Sequence, residues 1–564
     1  MTQKIKKDLH RPPEDALWLL PLGGSGEIGI NLNLYGTAGK WLMVDCGIMF
    51  GDELTPGIDI ITPDITFITE RRTDLLGIVI THAHEDHLGA IPYLWESLRC
   101  PVYAVPFAAA LLRGKLTQAG MQDMVDIIEI PVGGSFEVGP FAVEMVHVTH
   151  SVPESHMVSI NTVHGRVLHT GDWKLDNDPI VGLVTDENRL KELGREGIMA
   201  LVGDSTGATV QAATPSEIAV QKGMGELFGL YQNRIAVTCF SSNIARLKTI
   251  AKAAHQHGRY VSLVGRSLWR NAEIAYSLGY LPEYDQFLSE HEAMQAPRDK
   301  IVMVCTGCQG EKRAALSRIA VFDHPIVKLE RGDVVIFSSR DIPGNEKSIG
   351  RVQNLLLSHR VQIVTAEHMT EGRLVHASGH AGQPDIAKLY EWTKPQMVLP
   401  VHGELRHQTE HASLVRSLGI ENVMIPQNGQ IIRLGPGIHE VVGEVQVGRW
   451  GLDGKNLRPL DQKVTQHRRK MNFNGAAVVT LALDRRGMVA SDPQVTLLGI
   501  DEERTILAMR EEIANMILDE VEVMPRSTLL DDHAMQQAIM KIVRRSLHES
   551  QGKKPIVEVH LIRV

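Results

Sequence analysis

The chain has 564 residues, a formal net charge of −9 and only five cysteines. That length exceeds one ordinary hydrophobic core and points to roughly two to four domains. The acidic balance excludes indiscriminate coating of nucleic acid, though not a basic channel; so few cysteines exclude a disulfide framework, and no apolar run approaches the roughly 18 residues of a membrane span.

The N-terminal stretch MTQKIKKDLHRPPEDALWLL lacks an apolar h-region followed by a small-residue cleavage site. It reads as no signal peptide, and the expected compartment is the cytoplasm. From 16 to 60 the pattern is strand and turn. ALWLLPLGGSGEIGINLNLYG gives a strand, a glycine turn and a second strand, and WLMVDCG a strand ending in Asp45. LLGIVIT is a further strand. It runs into the histidine loop THAHEDHLG and then LGAIPYLWESL, which has helical spacing. PVYAV, FAVEMVHVTH and RVLHTGDW are more short strands, the last two placing His150 and Asp172 at or just beyond their ends.

The character changes near 214. Helical patterns then alternate with the apolar strands RIAVTCF, YVSLVG, KIVMVC and DVVIFSS, as a largely parallel βαβ unit requires. Near 361 the first style resumes with VQIVTAEH, VHASGHAG, a helix and QMVLPVHGE, so the middle unit reads as an insertion. KVTQHRRKMNFNG is basic and aperiodic and reads as a linker. Beyond it AAVVTLAL and VTLLGI are strands, TILAMREEIANMILDEV and HAMQQAIMKIVRRSLHE helices, and IVEVHLIRV a strand, a small α+β domain. The expected boundaries are 1–213 and 361–454 for the first domain, 214–360 for the insert, 455–474 for the linker and 475–564 for the last domain. The pair Cys305 and Cys308 in C-T-G-C has no second pair or histidine at ligand spacing, and reads as a glycine loop with incidental thiols.

The histidine loop carries the chemistry. His82 and His84 lie two apart, so on an extended strand end they point the same way. Asp86 and His87 follow as the chain turns into a helix and face a second position. Imidazole and carboxylate suit Zn²⁺ or Mn²⁺, and two such ions about 3.5–4 Å apart can clamp both oxygens of a phosphoryl transfer.

H-A-H-E-D-H resembles the H-x-H-x-D-H signature of the metallo-β-lactamase fold. The resemblance implies an αββα sandwich in which Asp45 orients the histidine loop, while His150 in VTHSVPES and Asp172 in TGDWK complete the ligands. One metal would take His82, His84 and His150. The other would take Asp86, His87 and a later histidine, with Asp172 bridging. Asp204 in GDSTG, His380 in SGHAG and His402 in PVHGE are similar to motifs A, B and C of the β-CASP nucleases, whose α/β insert lies between motifs A and B. Histidine at motif C is the choice of the RNA-processing members. GGSGEIG, CFSSNIAR, SSRDIPGNE, ASGHAGQPD and VHGELRH resemble the bacterial ribonuclease J family across essentially the whole chain. The departures are Ala83 for glycine, Gly207 for asparagine and a more cysteine-rich loop at 305–308.

The resemblance implies a ribonuclease with two divalent cations. Zinc is the expected ion, with manganese or magnesium the alternatives. Asp86, Asp172, Asp204 and His380 form the expected catalytic set, with His380 on the scissile phosphate or leaving oxygen and Asp204 orienting it or a ligand. A 5′-phosphate pocket is expected from Ser242, Asn243 and Arg246, from Ser339 and Arg340, and from Ser378, Gly379 and His380. A basic track is expected from Arg266, Arg270, Arg340 and Lys347, with His467, Arg468, Arg469 and Lys470. The implied activity is 5′-to-3′ exonuclease at monophosphate ends with additional internal cleavage, in ribosomal RNA maturation and mRNA decay, by a homodimer or homotetramer free of membrane. The alternatives are a purely endonucleolytic enzyme of the same scaffold, a small-molecule hydrolase and a non-catalytic RNA-binding scaffold.

Overall fold

The computed structural model describes residues 11–366, 373–461 and 463–564. They fall into two compact units, Met1–Met49 with Thr62–Val447, and Phe50–Ile61 with Gly448–Val564.

The first unit holds two large sheets and the sheet of the insert. In the eight-stranded sheet, Glu440–Glu444, Gln430–Gly435, Leu17–Gly23, Leu32–Thr37, Lys40–Val44, Leu75–Val79, Val102–Ala104 and Ile127–Glu129 lie side by side. Every residue of Leu17–Gly23 and Leu32–Thr37 is buried, as strands covered on both faces must be. The six-stranded sheet runs Ser135–Val138, Phe141–His147, His156–Thr162, Gly165–His169, Ala200–Asp204 and Val398–Val401. Helices Glu187–Glu196, Gln383–Thr393 and Leu405–Ser417 cover it, burying Leu190, Leu193, Ile386, Leu389, Tyr390 and Val415 in one core with Leu168, Leu201 and Val398. A hydrogen bond of 2.9 Å between Tyr35 Oη and His169 Nδ1 crosses between the two sheets. This is the αββα sandwich of the metallo-β-lactamase fold.

Direction matters more than order. Lys40–Val44 pairs parallel with Leu75–Val79, and Gly165–His169 with Ala200–Asp204 and then Val398–Val401. Asp45, the His82 loop, Asp172, Asp204 and His402 therefore all leave the carboxyl ends of their strands. His150 follows Phe141–His147, which runs the same way because two antiparallel pairings separate it from Gly165–His169.

The insert is a five-stranded parallel sheet ordered Tyr260–Val264, Ile301–Cys305, Ile235–Thr238, Val334–Phe337 and Gln362–Thr365. The strand Gln362–Thr365 thus belongs to the insert, where the expected boundary of 360 had assigned it to the returning first domain. Alternation of apolar strands does not say which sheet a strand joins. All five cysteines are buried free thiols, and burial pushes those of Cys305 and Cys308 up, so they are inert packing groups.

A four-stranded sheet is ordered Asn456–Pro459, Arg449–Asp453, Ile60–Pro63 and Met49–Phe50; its first two strands, with Phe50, Ile60 and Ile61, belong to the second unit. That unit also contains the α+β domain: Val489–Leu498, Ala476–Leu483 and Ile556–Arg563 under helices Glu503–Glu522 and Asp532–Gln551. The expected linker 455–474 is instead ordered, as the strand Asn456–Pro459 and the helix Lys463–Asn474. Only Thr465 of that helix is buried, so it carries no apolar stripe for the sequence to reveal.

Candidate metal centre and catalytic site

Three imidazoles and a carboxylate meet first. His82 Nε2 lies 3.0 Å from His84 Nδ1, which lies 3.1 Å from His150 Nε2. Asp172 Oδ2 is 3.7 Å from His82 Nε2 and 3.8 Å from His150 Nε2. The Gly379 carbonyl accepts a 2.6 Å hydrogen bond from His150 Nδ1, which leaves Nε2 as a lone pair aimed at its neighbours. A Cβ at Gly379 would stand 2.6 Å from His150 Cε1, so the close approach needs glycine. Burial and the adjoining imidazoles hold His82 and His150 well below the usual histidine value. Burial, against the pull of Asp86 and Asp172, holds His84 at about 4. All three are neutral donors at pH 7.

The second group shares Asp172. Its Oδ1 lies 3.3 Å from His87 Nε2, and Asp86 Oδ2 lies 3.6 Å from His87 Nε2 and 3.2 Å from His402 Nε2. Asp45, fully buried, accepts from Thr81 N at 2.9 Å, from Thr81 Oγ1 and from His87 Nδ1 at 2.7 Å, which fixes the ring. The turn at 85–88 is pinned to the strand end at 46–48 by backbone bonds from Cys46 N to His87 O and Ile48 N to Glu85 O. Against the cost of burial, Asp172, Asp86 and Asp45 raise the His87 pKa. Likewise, Asp172 and hydrogen bonds with Asp204 and Asp86 push His402 up to about 10.

Motif A and motif B meet beside this pair. His380 Nδ1 lies 2.8 Å from Asp204 Oδ2, and Asp204 Oδ1 lies 3.3 Å from His402 Nδ1. Asp204 therefore holds both histidines. Burial opposes protonation of His380, but the carboxylates of Asp204 and Asp172 outweigh it and raise its pKa. Gly207 accommodates motif B directly, since a Cβ there would stand 2.1 Å from the Ala381 carbonyl.

The donor set fits divalent cations. Tetrahedral ligands at 2.0–2.1 Å from a metal stand about 3.3 Å apart, and the two groups show spacings of 3.0–3.8 Å and 3.2–3.6 Å. Asp172 Oδ1 is buried without a hydrogen-bond partner among the described residues, and neutral imidazole lone pairs facing one another at 3.0–3.1 Å repel unless a cation lies between them.

The expected phosphate residues divide. Ser242 is half-buried, Ser339 buried and Arg340 exposed. All three follow the carboxyl ends of insert strands, where open parallel sheets bind ligands. Asn243 instead caps helix Ile244–Gln256, accepting from Arg246 N at 2.9 Å. Arg246 is a correction: it has no exposure and is ion-paired to Glu217, so it cannot reach a substrate phosphate. Ser378 Oγ accepts from His380 N, and Gly379 serves His150. Of the basic track, Arg266, Lys347, His467 and Lys470 are exposed, and Arg270 and Arg469 half-buried. Arg468 is engaged by both oxygens of Asp453 at 2.8 Å.

Sequence reasoning missed Asn31, whose Nδ2 lies 3.1 Å from both the Asp86 carbonyl and His87 Nε2. It also missed His411, which lies 3.0 Å from Ser205 Oγ and 2.7 Å from Tyr390 Oη behind motif A. Neither has a local signal, because each acts on a group distant in the chain. The GGSGEIG turn braces motif C: the Gly24 carbonyl accepts from His402 N, and Ser25 pairs with Gly403.

Four family models match successive stretches of the chain. Residues 26–209 match the metallo-beta-lactamase superfamily, 232–356 the ribonuclease J beta-CASP domain, 372–426 the Zn-dependent metallo-hydrolase RNA specificity domain, and 463–564 the ribonuclease J C-terminal domain. Ribonuclease J of Sinorhizobium meliloti is 40% identical over 567 residues, covering 100% of both chains. Ribonuclease J of Mycolicibacterium smegmatis is 35% identical (99% of this chain, 100% of the relative), and that of Thermus thermophilus 32% (97% and 95%). A crystal structure of a protein of unknown function from Enterococcus faecalis, 17% identical with a TM-score of 0.51, covers 74% of this chain and 100% of its own, and shares the fold. The chain belongs to the ribonuclease J family, metal-dependent β-CASP ribonucleases built on the metallo-β-lactamase fold.

Proposed function

We propose that the protein hydrolyses RNA from 5′-monophosphate ends in the 5′-to-3′ direction, and also cleaves internally, with two zinc ions as cofactor. The observation that carries this reading is Asp172, whose two oxygens serve separate donor groups while the Asp204–His380 pair stands alongside. His82, His84 and His150 would hold one ion, Asp86, His87 and His402 the other, with Asp172 between them. Bound there, the ions would supply hydroxide at neutral pH and neutralise charge on the phosphate.

The remaining work falls to side chains. Asp204 takes the Nδ1 proton side of His380, which leaves Nε2 for the substrate. The carboxylates of Asp204 and Asp172 favour the protonated form of His380, which delivers a proton from Nε2 to the leaving 3′-oxygen. Ser242, Ser339, Arg340 and Ser378 receive the terminal phosphate, the first three from the carboxyl edge of the insert's sheet. Arg266, Arg270 and Lys347 add positive charge for the backbone, so affinity falls steeply with salt. The setting implied by kinship is ribosomal RNA maturation and mRNA turnover in the cytoplasm, with the C-terminal domain joining chains into dimers or tetramers.

The deciding experiment compares one internally labelled RNA carrying a 5′-monophosphate, a triphosphate or a hydroxyl. Mononucleotides should be released fastest from the monophosphate form. Equal rates from all three ends would refute the end-directed reading and leave internal cleavage alone.

A further inference from the structure

Four charged side chains beneath the insert have no part in the chemistry above. They are Lys174, Asp176, Glu217 and Arg246, all buried. Lys174 Nζ lies 3.0 Å from Asp176 Oδ2 and 3.3 Å from Glu217 Oε1, and Arg246 Nη2 lies 3.1 Å from Glu217 Oε2. Ser216 Oγ and Glu217 N donate to Asp176 at 2.5 and 2.9 Å. Two cations and two anions balance, so the buried group has no net charge to strand.

The guanidinium does more than balance charge. Arg246 Nη1 donates to the Ser338 carbonyl at 3.0 Å, to the Val375 carbonyl at 3.1 Å and to the Ser338 hydroxyl, which itself donates to the Val375 carbonyl at 2.6 Å. Ser338 immediately precedes Ser339 and Arg340, and Val375 lies on the short segment leading to Ser378 and His380. One buried side chain thus grips both the strand end that carries the terminal-phosphate loop and the segment that carries the leaving-group histidine. Lys174 extends the same grip to the strand end bearing Asp172. The planar fork of arginine reaches several carbonyls and a carboxylate at once, which a lysine cannot reproduce.

We infer that Arg246 and Glu217 are positioning residues that set the spacing between the Ser339–Arg340 loop and His380, and so favour cleavage at a 5′ end over cleavage elsewhere. This rests on the monophosphate-end reading given under Proposed function. With the grip loosened, the Ser339–Arg340 loop shifts and the terminal phosphate no longer sits in register with the scissile phosphate, while Asp204, 2.8 Å from His380 Nδ1, keeps that histidine in place.

The test uses the full-length protein, its Arg246→Lys variant and its Ser338→Ala variant. Each is assayed on RNA with 5′-monophosphate and 5′-triphosphate ends and on bis(p-nitrophenyl) phosphate, a small diester with no 5′ end, and each has its bound metal measured. In Arg246→Lys the monophosphate preference should fall about tenfold or more, as expected for a misplacement approaching ~1 Å, with small-diester hydrolysis and metal content held within about twofold. Ser338→Ala should shift the preference in the same direction by less, and it decides the matter should Arg246→Lys fail to fold. The inference is overturned if both variants keep the parental preference, or if small-diester hydrolysis falls in parallel with RNA cleavage, as a merely structural role requires. A parental enzyme with no preference sinks the end-directed reading itself and this inference with it; a parental preference that the variants share sinks the inference alone.

Discussion

Asp45→Asn is the most informative single change. Asp45 Oδ1 accepts from Thr81 N at 2.9 Å, and Oδ2 lies 2.9 Å from Thr81 Oγ1 and 2.7 Å from His87 Nδ1. Asparagine keeps the Thr81 bonds through its carbonyl oxygen but turns an NH₂ group towards His87. Nδ1 must then accept, and the ring proton moves to Nε2, the atom 3.3 Å from Asp172 Oδ1. A protonated nitrogen is no ligand. Loss of such an orienting partner weakens metal binding by about 10–100-fold, ~1.4–2.7 kcal/mol. Competition against a chromophoric chelator reads this directly. The ion held by Asp86, His87 and His402 should weaken, and the one held by His82, His84 and His150 should change less. Asp45→Ala should also lower thermal stability, because it strands three buried donors, each worth ~1–3 kcal/mol when unpaired. If Asp45→Asn binds both ions like the parent, the tautomer argument is wrong.

His84→Ala should lose metal and activity together, whereas His380→Ala should keep its metal and lose about 100-fold or more in kcat, read by elemental analysis and single-turnover RNA cleavage. Metal uptake should release protons. His402 sits at about 10, so it is protonated at pH 7.5 before a cation displaces the proton; the carboxylates shift His87 in the same direction, and affinity should rise with pH across the neutral range. Calorimetry in two buffers of different ionisation enthalpy measures the release, and a value of zero contradicts the ligand assignment. Gly379→Ala should push His150 aside, since the new Cβ would stand 2.6 Å from its ring, and should reduce metal affinity more than stability. A denaturant melt beside the chelator competition separates the two effects.

The ligands were readable because six residues, His82 to His87, hold four of them in one turn, and because Asp45, Asp172 and His402 close short apolar runs. A strand end followed by a ligating residue is a local pattern, and parallel pairing brings such ends to one edge without further instruction. Arg246 was misread for the opposite reason. An arginine just beyond S-S-N in a loop looks free to meet phosphate, but its partners Glu217, Ser338 and Val375 come from three distant segments. Asn31 was invisible for the same reason. The helix Lys463–Asn474 was missed because its few apolar residues, Val464, Met471 and Phe473, are too sparse to recur at helical spacing, which removes the periodicity that betrays a helix. The strand Gln362–Thr365 was found but given to the wrong sheet, since apolar alternation specifies a strand and not its neighbour.

The sheet that joins Met49–Phe50 and Ile60–Pro63 to Arg449–Asp453 and Asn456–Pro459 makes the second unit discontinuous in the chain. During synthesis the early pair of strands emerges long before Arg449–Asp453 exists, so the outer edge of Ile60–Pro63 must wait for its partner until most of the polypeptide has left the ribosome. A fragment begun at 448 would reach the test tube with the edge of Arg449–Asp453 bare and prone to pairing with other copies. Excision of the last unit would likewise orphan residues 50–61 inside what remains. The tail of this polypeptide is therefore poor material for cut-and-paste engineering, and fusions or tags belong outside it.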